Sequence, residues 1–295
     1  MKNEIENTKD KSTTSTPIAG MQCYQQPFYS LKDVQIFNEN CLDTMGRMPD
    51  NHIDLTVTSP PYDNLRDYNG YSFPFEDIAK EIYRVTKQGG VVVWVVGDAT
   101  VNGSETGVSF KQALYFKEIG FNLYDTMIYE KNTSSFPATA RYEQVFEYMF
   151  VLSKGKPKTL NLIKDKKNRW AGTSNFGERS NRKKDGKLEK RGKGIVAEYG
   201  LRSNIFRYST GAGYSSEDNI AFKHPAIFPE KLAADHIRSW SSEGDLVYDC
   251  FGGSGTTVKM AHLQKRKAIM SEISLEYCQI AKKRIEPYLM QECLF

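Results

Sequence analysis

The sequence predicts an α/β protein built on a mostly parallel sheet with helices on both faces, plus one long basic insertion. Three observations predict it. Short β-branched strands alternate with segments of helical apolar spacing on both sides of the insertion. The run Val91–Val96 is continuously apolar, the mark of a strand buried on both faces. From Ser153 to Gly213 the texture changes to Lys, Arg, Gly and Asn with scattered apolar residues.

The elements follow in order. Residues 1–30 read as a poorly ordered tail: Met1–Ala19 is polar and lacks the apolar stretch of a secretory signal. Val34–Phe37 reads as a strand, Leu42–Met48 as a helix, and Ile53–Thr58 as an alternating strand that runs into Ser59-Pro60-Pro61-Tyr62. Phe75, Ile78, Ala79, Ile82 and Tyr83 fall at helical spacing and predict a helix reaching Lys87, stopped by Gly89-Gly90. Phe110–Ile119 predicts a helix, and Leu123–Tyr129 and Val145–Leu152 two strands. Beyond the insertion the pattern predicts a helix over Glu230–Trp240, a strand over Leu246–Asp249, a helix over Thr256–Leu263, a strand over Lys267–Ile273 and a helix over Leu275–Glu286. The main domain is thus expected in two halves, 31–153 and 220–295, with the insertion at 154–219.

Composition narrows the class. The chain has 295 residues, 39% of them hydrophobic, enough for a packed core. No apolar run approaches a membrane span, so no membrane partner is expected. Five cysteines (Cys23, Cys41, Cys250, Cys278 and Cys293) form no CxxC pair and no metal-ligand spacing, which reads as a reduced, cytoplasmic protein without a metal. Lys154–Arg207 holds 17 Lys/Arg against 5 Asp/Glu, an excess of 12 that leaves the rest of the chain near −8 against a net +4. A basic segment on an acidic body points to a polyanion held at one face; the plain alternative is a solvated loop.

Two motifs carry chemistry. Asp249 ends a predicted strand, Gly252, Gly253 and Gly255 follow, and Thr256-Thr257 opens a helix. Glycines let the backbone turn sharply and approach a ligand closely. Glu272 lies 17 positions past Gly255, at the end of the next strand, where a carboxylate reaches the hydroxyls of a bound ribose. The loop has no Walker lysine and does not match GxGxxG, which weakens ATPase and dinucleotide readings. In Thr58-Ser59-Pro60-Pro61-Tyr62 two prolines stiffen a turn at the end of a strand. Ser59 and the Pro60 carbonyl can then accept both protons of an exocyclic amine on a planar base, on which Tyr62 stacks.

Together these residues resemble the bacterial DNA amino-methyltransferases that act on adenine N6 or cytosine N4. The resemblance runs from about Val34 to Ile285. It implies a Rossmann-like fold, S-adenosylmethionine as cofactor, a catalytic role for Ser59, Pro60, Pro61 and Tyr62, and cofactor contacts from Asp249, Phe251, Gly252, Gly253, Gly255, Thr256 and Thr257. Cys250 stands where the family usually has proline. The stretch His224-Pro225-Ala226-Ile227-Phe228-Pro229 resembles the element that holds the methionine end, giving His224, Pro225, Phe228 and Pro229 as candidates. Asn38-Glu39-Asn40-Cys41 resembles the segment near the adenine ring, with Asn40 and Cys41 as candidates. Ile128–Asn132 resembles the lining of the base pocket.

The catalytic motif precedes the cofactor loop with the insertion between them, an order similar to the β group. The insertion then implies target recognition on double-stranded DNA, with Lys131, Arg169, Arg182, Lys183, Lys184, Arg191, Lys193 and Arg202 as candidate DNA contacts. The base has to leave the stack to reach Ser59. A serine-first motif resembles the cytosine-N4 enzymes, whereas adenine-N6 enzymes more often begin with Asp or Asn. The resemblance also admits a cognate restriction endonuclease and a homodimer as partners. The competing readings are an adenine-N6 enzyme, an RNA- or protein-methylating protein, and a non-catalytic DNA-binding protein.

Overall fold

The structure, a computed structural model, describes residues 26–61, 73–132, 141–174, 180–190, 194–211 and 213–291. A nine-stranded sheet organises them. Its strands in chain order are β1 (Tyr29–Leu31), β2 (Val34–Phe37), β3 (Ile53–Thr58), β4 (Thr86–Val96), β5 (Asn122–Lys131), β6 (Phe146–Ser153), β7 (Ile205–Tyr208), β8 (Leu246–Asp249) and β9 (Lys267–Ser271). They lie side by side in the order β1-β2-β9-β8-β3-β4-β6-β5-β7. The neighbours β2, β9, β8, β3 and β4 are parallel, β6 is antiparallel to both β4 and β5, and β7 is parallel to β5. All strands except β1 and β6 therefore send their carboxyl ends to one edge.

Helices α1 (Cys41–Arg47), α2 (Phe75–Val85), α3 (Val108–Glu118), α4 (Glu230–Trp240), α5 (Thr256–Leu263) and α6 (Leu275–Gln291) cover the sheet. Alternate residues of β4 enter two different cores, which is why the run is apolar throughout. Val91, Val93 and Val95 join Leu232, Ile237, Val258 and Ile285 of α4, α5 and α6. Val92, Trp94 and Val96 join Met45, Ile78, Ile82 and Phe116 of α1, α2 and α3. From β3 the chain crosses through α2 to β4, and from β8 it crosses through α5 to β9 on the other side. Because β3 and β8 are neighbours, a crevice opens between their carboxyl ends, where open α/β sheets place ligands.

Several expectations are corrected. The sheet begins before residue 31, since Tyr29–Leu31 pairs with β2 and Tyr29 packs on the core. The second helix ends at Val85, not Lys87: the Thr86 hydroxyl donates to the Ile82 carbonyl, and the strand starts there. Gly89-Gly90 stands inside that strand, with Gly89 at φ 78° and its N–H on the Lys154 carbonyl. The alternating strand Ile53–Thr58 is buried on both faces because it lies mid-sheet; on its polar face Asp54 meets Lys87 and Thr58 meets Asp249, while the buried Thr56 hydroxyl between them has no hydrogen-bond partner among the described residues. The insertion is not all peripheral. Ile205–Tyr208 supplies edge strand β7, and Ile163, Phe206 and Tyr208 are buried in the core.

Candidate active site

The crevice is assembled by hydrogen bonds between its two walls. Asp249 ends β8 and Thr58 ends β3. The Thr58 hydroxyl donates to Asp249 Oδ1 at 2.7 Å, and the Phe251 N–H donates to the same oxygen at 3.1 Å. Thr257, in the first turn of α5, donates its hydroxyl to the Val57 carbonyl at 3.2 Å. The glycine loop is thus latched at both ends to the strand that launches Ser59-Pro60-Pro61. Burial pushes the Asp249 carboxyl up, partly offset by the Thr58 and Thr257 hydroxyls.

Glu272, just past β9, holds the loop from the other side. Its Oε2 accepts the Gly253 N–H at 2.9 Å and its Oε1 accepts the Ser274 N–H at 2.8 Å. Burial raises this carboxyl, against the lowering effect of those two N–H groups. Each oxygen has a second lone pair, so a pair of ligand hydroxyls can still be accepted. The glycines do different work. Gly253, at φ 50°, lies under the His224 ring, which a Cβ would approach to 3.0 Å at Nε2. A Cβ at Gly252 would overlap Met270, and one at Gly255 (φ 79°) would come to 2.8 Å of Ala281 Cβ on α6. Gly252 and Gly255 are therefore fixed by internal packing. His224 Nδ1 accepts the Ala226 N–H at 3.1 Å, and its ring meets Tyr277 edge-on at 4.3 Å.

A cavity of about 440 Å³ fills the crevice, within the roughly 300–1,000 Å³ of small-molecule sites. It brings together Cys41, Ser59, Pro60, Pro61, His224, Pro225, Phe228, Asp249, Phe251, Gly252, Gly253, Thr256 and Glu272. Asn40, Pro229, Gly255 and Thr257 stand outside the lining. Asn40 is a correction: its side chain caps α1 by accepting the Leu42 N–H at 2.9 Å, and Glu39 lines the cavity in its place. Glu39 is held by the Thr44 hydroxyl at 2.6 Å and by Arg47. Tyr62 lies outside the described residues. Sequence reasoning missed Glu39, Glu147 and Tyr277 as lining residues. Glu39 stood one position from the residue chosen, while Glu147 and Tyr277 carried no motif.

The candidate DNA contacts separate into groups. Arg182, Lys183 and Lys184 are exposed on or beside a hairpin of 180–182 with 188–190, and Lys183 pairs with Glu189 at 3.2 Å. Arg169 is exposed and its guanidinium lies 5.3 Å from the Trp170 ring centroid. Arg191 and Lys193 lie outside the described residues. Lys131 lines the cavity. Arg202 is a correction: it is bound to Asp165 and to Asp235 Oδ2 at 2.7 Å and covers the Phe206 ring, so its charge is spent inside the protein. Among the described residues there is no cluster of metal-binding side chains, and no helix is long and apolar enough to cross a membrane.

A cofactor-sized crevice at a sheet switch point, with a glycine loop on one wall and a rigid Pro-Pro turn on the other, defines an α/β methyltransferase. Comparison with known proteins narrows the class. A family model described as DNA methylase (N6_N4_Mtase) matches residues 53–283. The chain is 62% identical over 239 residues to the orphan methyltransferase M.BamHII of Bacillus amyloliquefaciens, covering 81% of this chain and 90% of that one. It is 27% identical to the type II methyltransferase M.ScaI of Streptomyces caespitosus, over 88% and 84% of the two chains. The fold matches that of the PvuII DNA methyltransferase (cytosine-N4-specific) with TM-score 0.66 and 22% identity, covering 91% of this chain and 94% of that one. It also matches M1.HpyAVI, solved as a SAM complex, with TM-score 0.57 and 23% identity over 85% and 99% of the chains. The chain belongs to the DNA methylase family of N4-cytosine and N6-adenine methyltransferases.

Proposed function

We propose that the protein moves a methyl group from S-adenosylmethionine to the exocyclic N4 amine of a cytosine flipped out of duplex DNA. The observation that carries this reading is the Thr58–Asp249 hydrogen bond, which joins the Ser59-Pro60-Pro61 turn and the glycine loop at one cavity. The residues present fit the cofactor. Glu272, with one lone pair left on each oxygen, suits the ribose hydroxyls. Gly253 lines the cavity with the His224 ring packed over it, and the His224-Pro225 stretch lines the same cavity. Bound S-adenosylmethionine supplies an electrophilic methyl group on a cationic sulfur.

The chain's own residues prepare the acceptor. Ser59 and the Pro60 carbonyl accept hydrogen bonds from the two amine N–H groups and steer the nitrogen lone pair out of conjugation and towards the methyl group. Proline rings on both sides of the Pro60–Pro61 bond keep these acceptors from drifting. Tyr62 stacks on the base. Flipping costs a few kcal/mol of unstacking, supported by phosphate contacts from the exposed Arg169, Arg182 and Lys184 of the recognition segment.

Cytosine is favoured over adenine by the serine that begins the motif, and by the fold likeness to a protein named as cytosine-N4-specific. The name of the 62%-identical relative, an orphan methyltransferase, supports action without a cognate endonuclease. The test is digestion of unmethylated DNA to nucleosides after incubation with the protein and labelled S-adenosylmethionine. N4-methylcytosine is expected. N6-methyladenine would overturn the choice of base, and label in RNA alone would overturn the choice of nucleic acid.

A further inference from the structure

A cluster of buried charges lies beside the glycine loop, outside the methyl-transfer chemistry. It gathers Arg284 of α6, Lys259 of α5, Glu230 at the start of α4, and Asp218 with Ser216 from the segment between β7 and α4. The Arg284 and Lys259 side chains are 0% and 2% exposed, so their positions are set by protein groups and not by water. Lys259 Nζ lies 2.7 Å from Asp218 Oδ2 and 2.9 Å from Glu230 Oε1. Burial pushes the Asp218 carboxyl up, but hydrogen bonds from Lys259 and Arg284 outweigh it and hold the group below its ordinary value.

The arginine divides its donors between two walls of the cavity. Nη1 donates to the Ser254 carbonyl at 2.6 Å, to the Ser254 hydroxyl at 2.9 Å and to the Thr256 hydroxyl at 3.2 Å. Ser254 and Thr256 both line the cavity. Nε donates to Asp218 Oδ2 at 3.1 Å, and Nη2 to the Ser216 hydroxyl at 3.2 Å and to Glu230 Oε1 at 2.6 Å. Just ahead of Ser216, Gly211 and Ser215 line the cavity too, in a turn closed by the Ser215 N–H on the Gly211 carbonyl at 3.0 Å. That turn follows β7, the strand that the insertion contributes to the sheet. A guanidinium is planar, and its five N–H donors stand in a fixed fork. A shift of the Ser216–Asp218 segment is therefore passed through Arg284 to the Ser254 carbonyl.

We propose that Arg284 is a positioning residue that couples the two ligands. It holds the glycine loop to the segment that leaves the insertion, so bound cofactor tightens the hold on DNA and bound DNA tightens the hold on cofactor by the same factor. The assignment rests on the reading that a DNA base enters this cavity, and it does not depend on which base that is.

The test uses full-length protein. Native protein and tritiated S-adenosylmethionine first identify a fragment of unmethylated bacteriophage DNA that takes up label; if none does, the DNA reading and this assignment fall together. Affinity for that fragment is then measured by filter retention, with and without S-adenosylhomocysteine, for native protein, Arg284→Lys and Ser216→Ala. Native protein should bind the fragment at least about fivefold more tightly with S-adenosylhomocysteine, the lower end of ordinary coupling. In Arg284→Lys the gain should fall below about twofold, because an ammonium keeps the charge and loses the fork. Ser216→Ala removes one hydroxyl from the segment side and leaves the loop side of the fork in place. It should lower the gain to about threefold or less, and it decides the matter if Arg284→Lys does not fold. A merely structural role would weaken both affinities alike and leave their ratio at the native value. A native gain under about twofold, or a native-sized gain in the folded variants, would overturn the assignment while the labelled fragment keeps the DNA reading in place.

Discussion

Around the crevice the charged groups are buried and partnered, whereas the charged side chains described along 166–189 stand in solvent. Arg284 of α6 is fully buried and meets Asp218, Glu230, Ser254 and Thr256; Lys259 beside it is bound to the same Asp218 and Glu230. Those four charges cancel, and they fix the Ser254 backbone of the glycine loop against Asp218 near the end of the insertion and Glu230 at the start of α4. In the basic insertion Lys166, Lys167, Arg169, Arg182 and Lys184 are exposed. Each kind of charge is useful in its own place. A paired, buried charge holds geometry, because removing one partner leaves the other stranded in a low-dielectric interior. An exposed charge holds a polyanion, because releasing the counterions of DNA requires access to phosphate.

Two glycines with nearly the same backbone put this contrast under the greatest strain. Gly255, at φ 79°, packs against Ala281, and Gly186, at φ 82°, has open space for 4 Å around the position a Cβ would take. Gly255→Ala should cost about 2–5 kcal/mol, combining left-handed strain with overpacking, while Gly186→Ala should cost only the strain, about 1–2 kcal/mol. Equal losses in denaturant melts would show that the loop is not wedged on α6. Next in size is Arg202→Met, which leaves the Asp235 carboxylate with the Tyr208 hydroxyl but without its cation. We expect a loss of about 1–3 kcal/mol, below that of a fully buried pair because the guanidinium is partly screened by solvent, with no change in the salt dependence of DNA binding. A flattened salt slope at unchanged stability would return Arg202 to the DNA surface.

Thr58→Val tests the latch between the two motifs and should cost about 1–3 kcal/mol at neutral pH. Burial already holds the Asp249 carboxyl above its ordinary value, and the Thr58 hydroxyl opposes that rise. A carboxyl raised on folding subtracts stability where it is ionised and returns it as the pH falls through the raised value. The deficit of Thr58→Val should therefore be largest near pH 7 and shrink towards acid; a deficit that is flat from pH 7 to pH 4.5 would contradict the ionised Asp249. The smallest structural effect is expected for Lys183→Gln with Lys184→Gln. Melting temperature should not move, while the slope of log K against log salt should become shallower by about 0.9 for each phosphate no longer neutralised. An unchanged slope would take this hairpin off the DNA.

Much of this was legible in the sequence because the main sheet is built from strong local signals. Ile53–Thr58, Glu230–Trp240, Leu246–Asp249 and Thr256–Leu263 were delimited by their own periodicity and by glycine or proline at their ends. Edge strand β7 was not, since only Phe206 and Tyr208 of its four residues are buried and it is flanked by the polar Ser203-Asn204 and Ser209-Thr210. Arg202 looked like its exposed neighbours because sequence records a charge and not its partner. Glu39 and not Asn40 lines the cavity for a local reason: an asparagine ahead of a helix is a cap, and capping turns its side chain towards the helix N–H groups. The ion pair of Lys131 and Glu147 was hidden because its members come from different strands, 16 residues apart, joined only by sheet register.

Ser59 and Glu272 thus line one cavity, and the proposed function gives them separate duties, Glu272 holding the cofactor and Ser59 acting on the base. The decisive experiment pairs cofactor affinity, by calorimetry, with the single-turnover rate at saturating cofactor for Ser59→Ala and Glu272→Gln. Ser59→Ala is expected to lower the rate on the order of 100-fold with affinity unchanged. Glu272→Gln should weaken binding while the saturated rate survives. A rate unaffected by Ser59→Ala, or a cofactor affinity unaffected by Glu272→Gln, would contradict this division of labour.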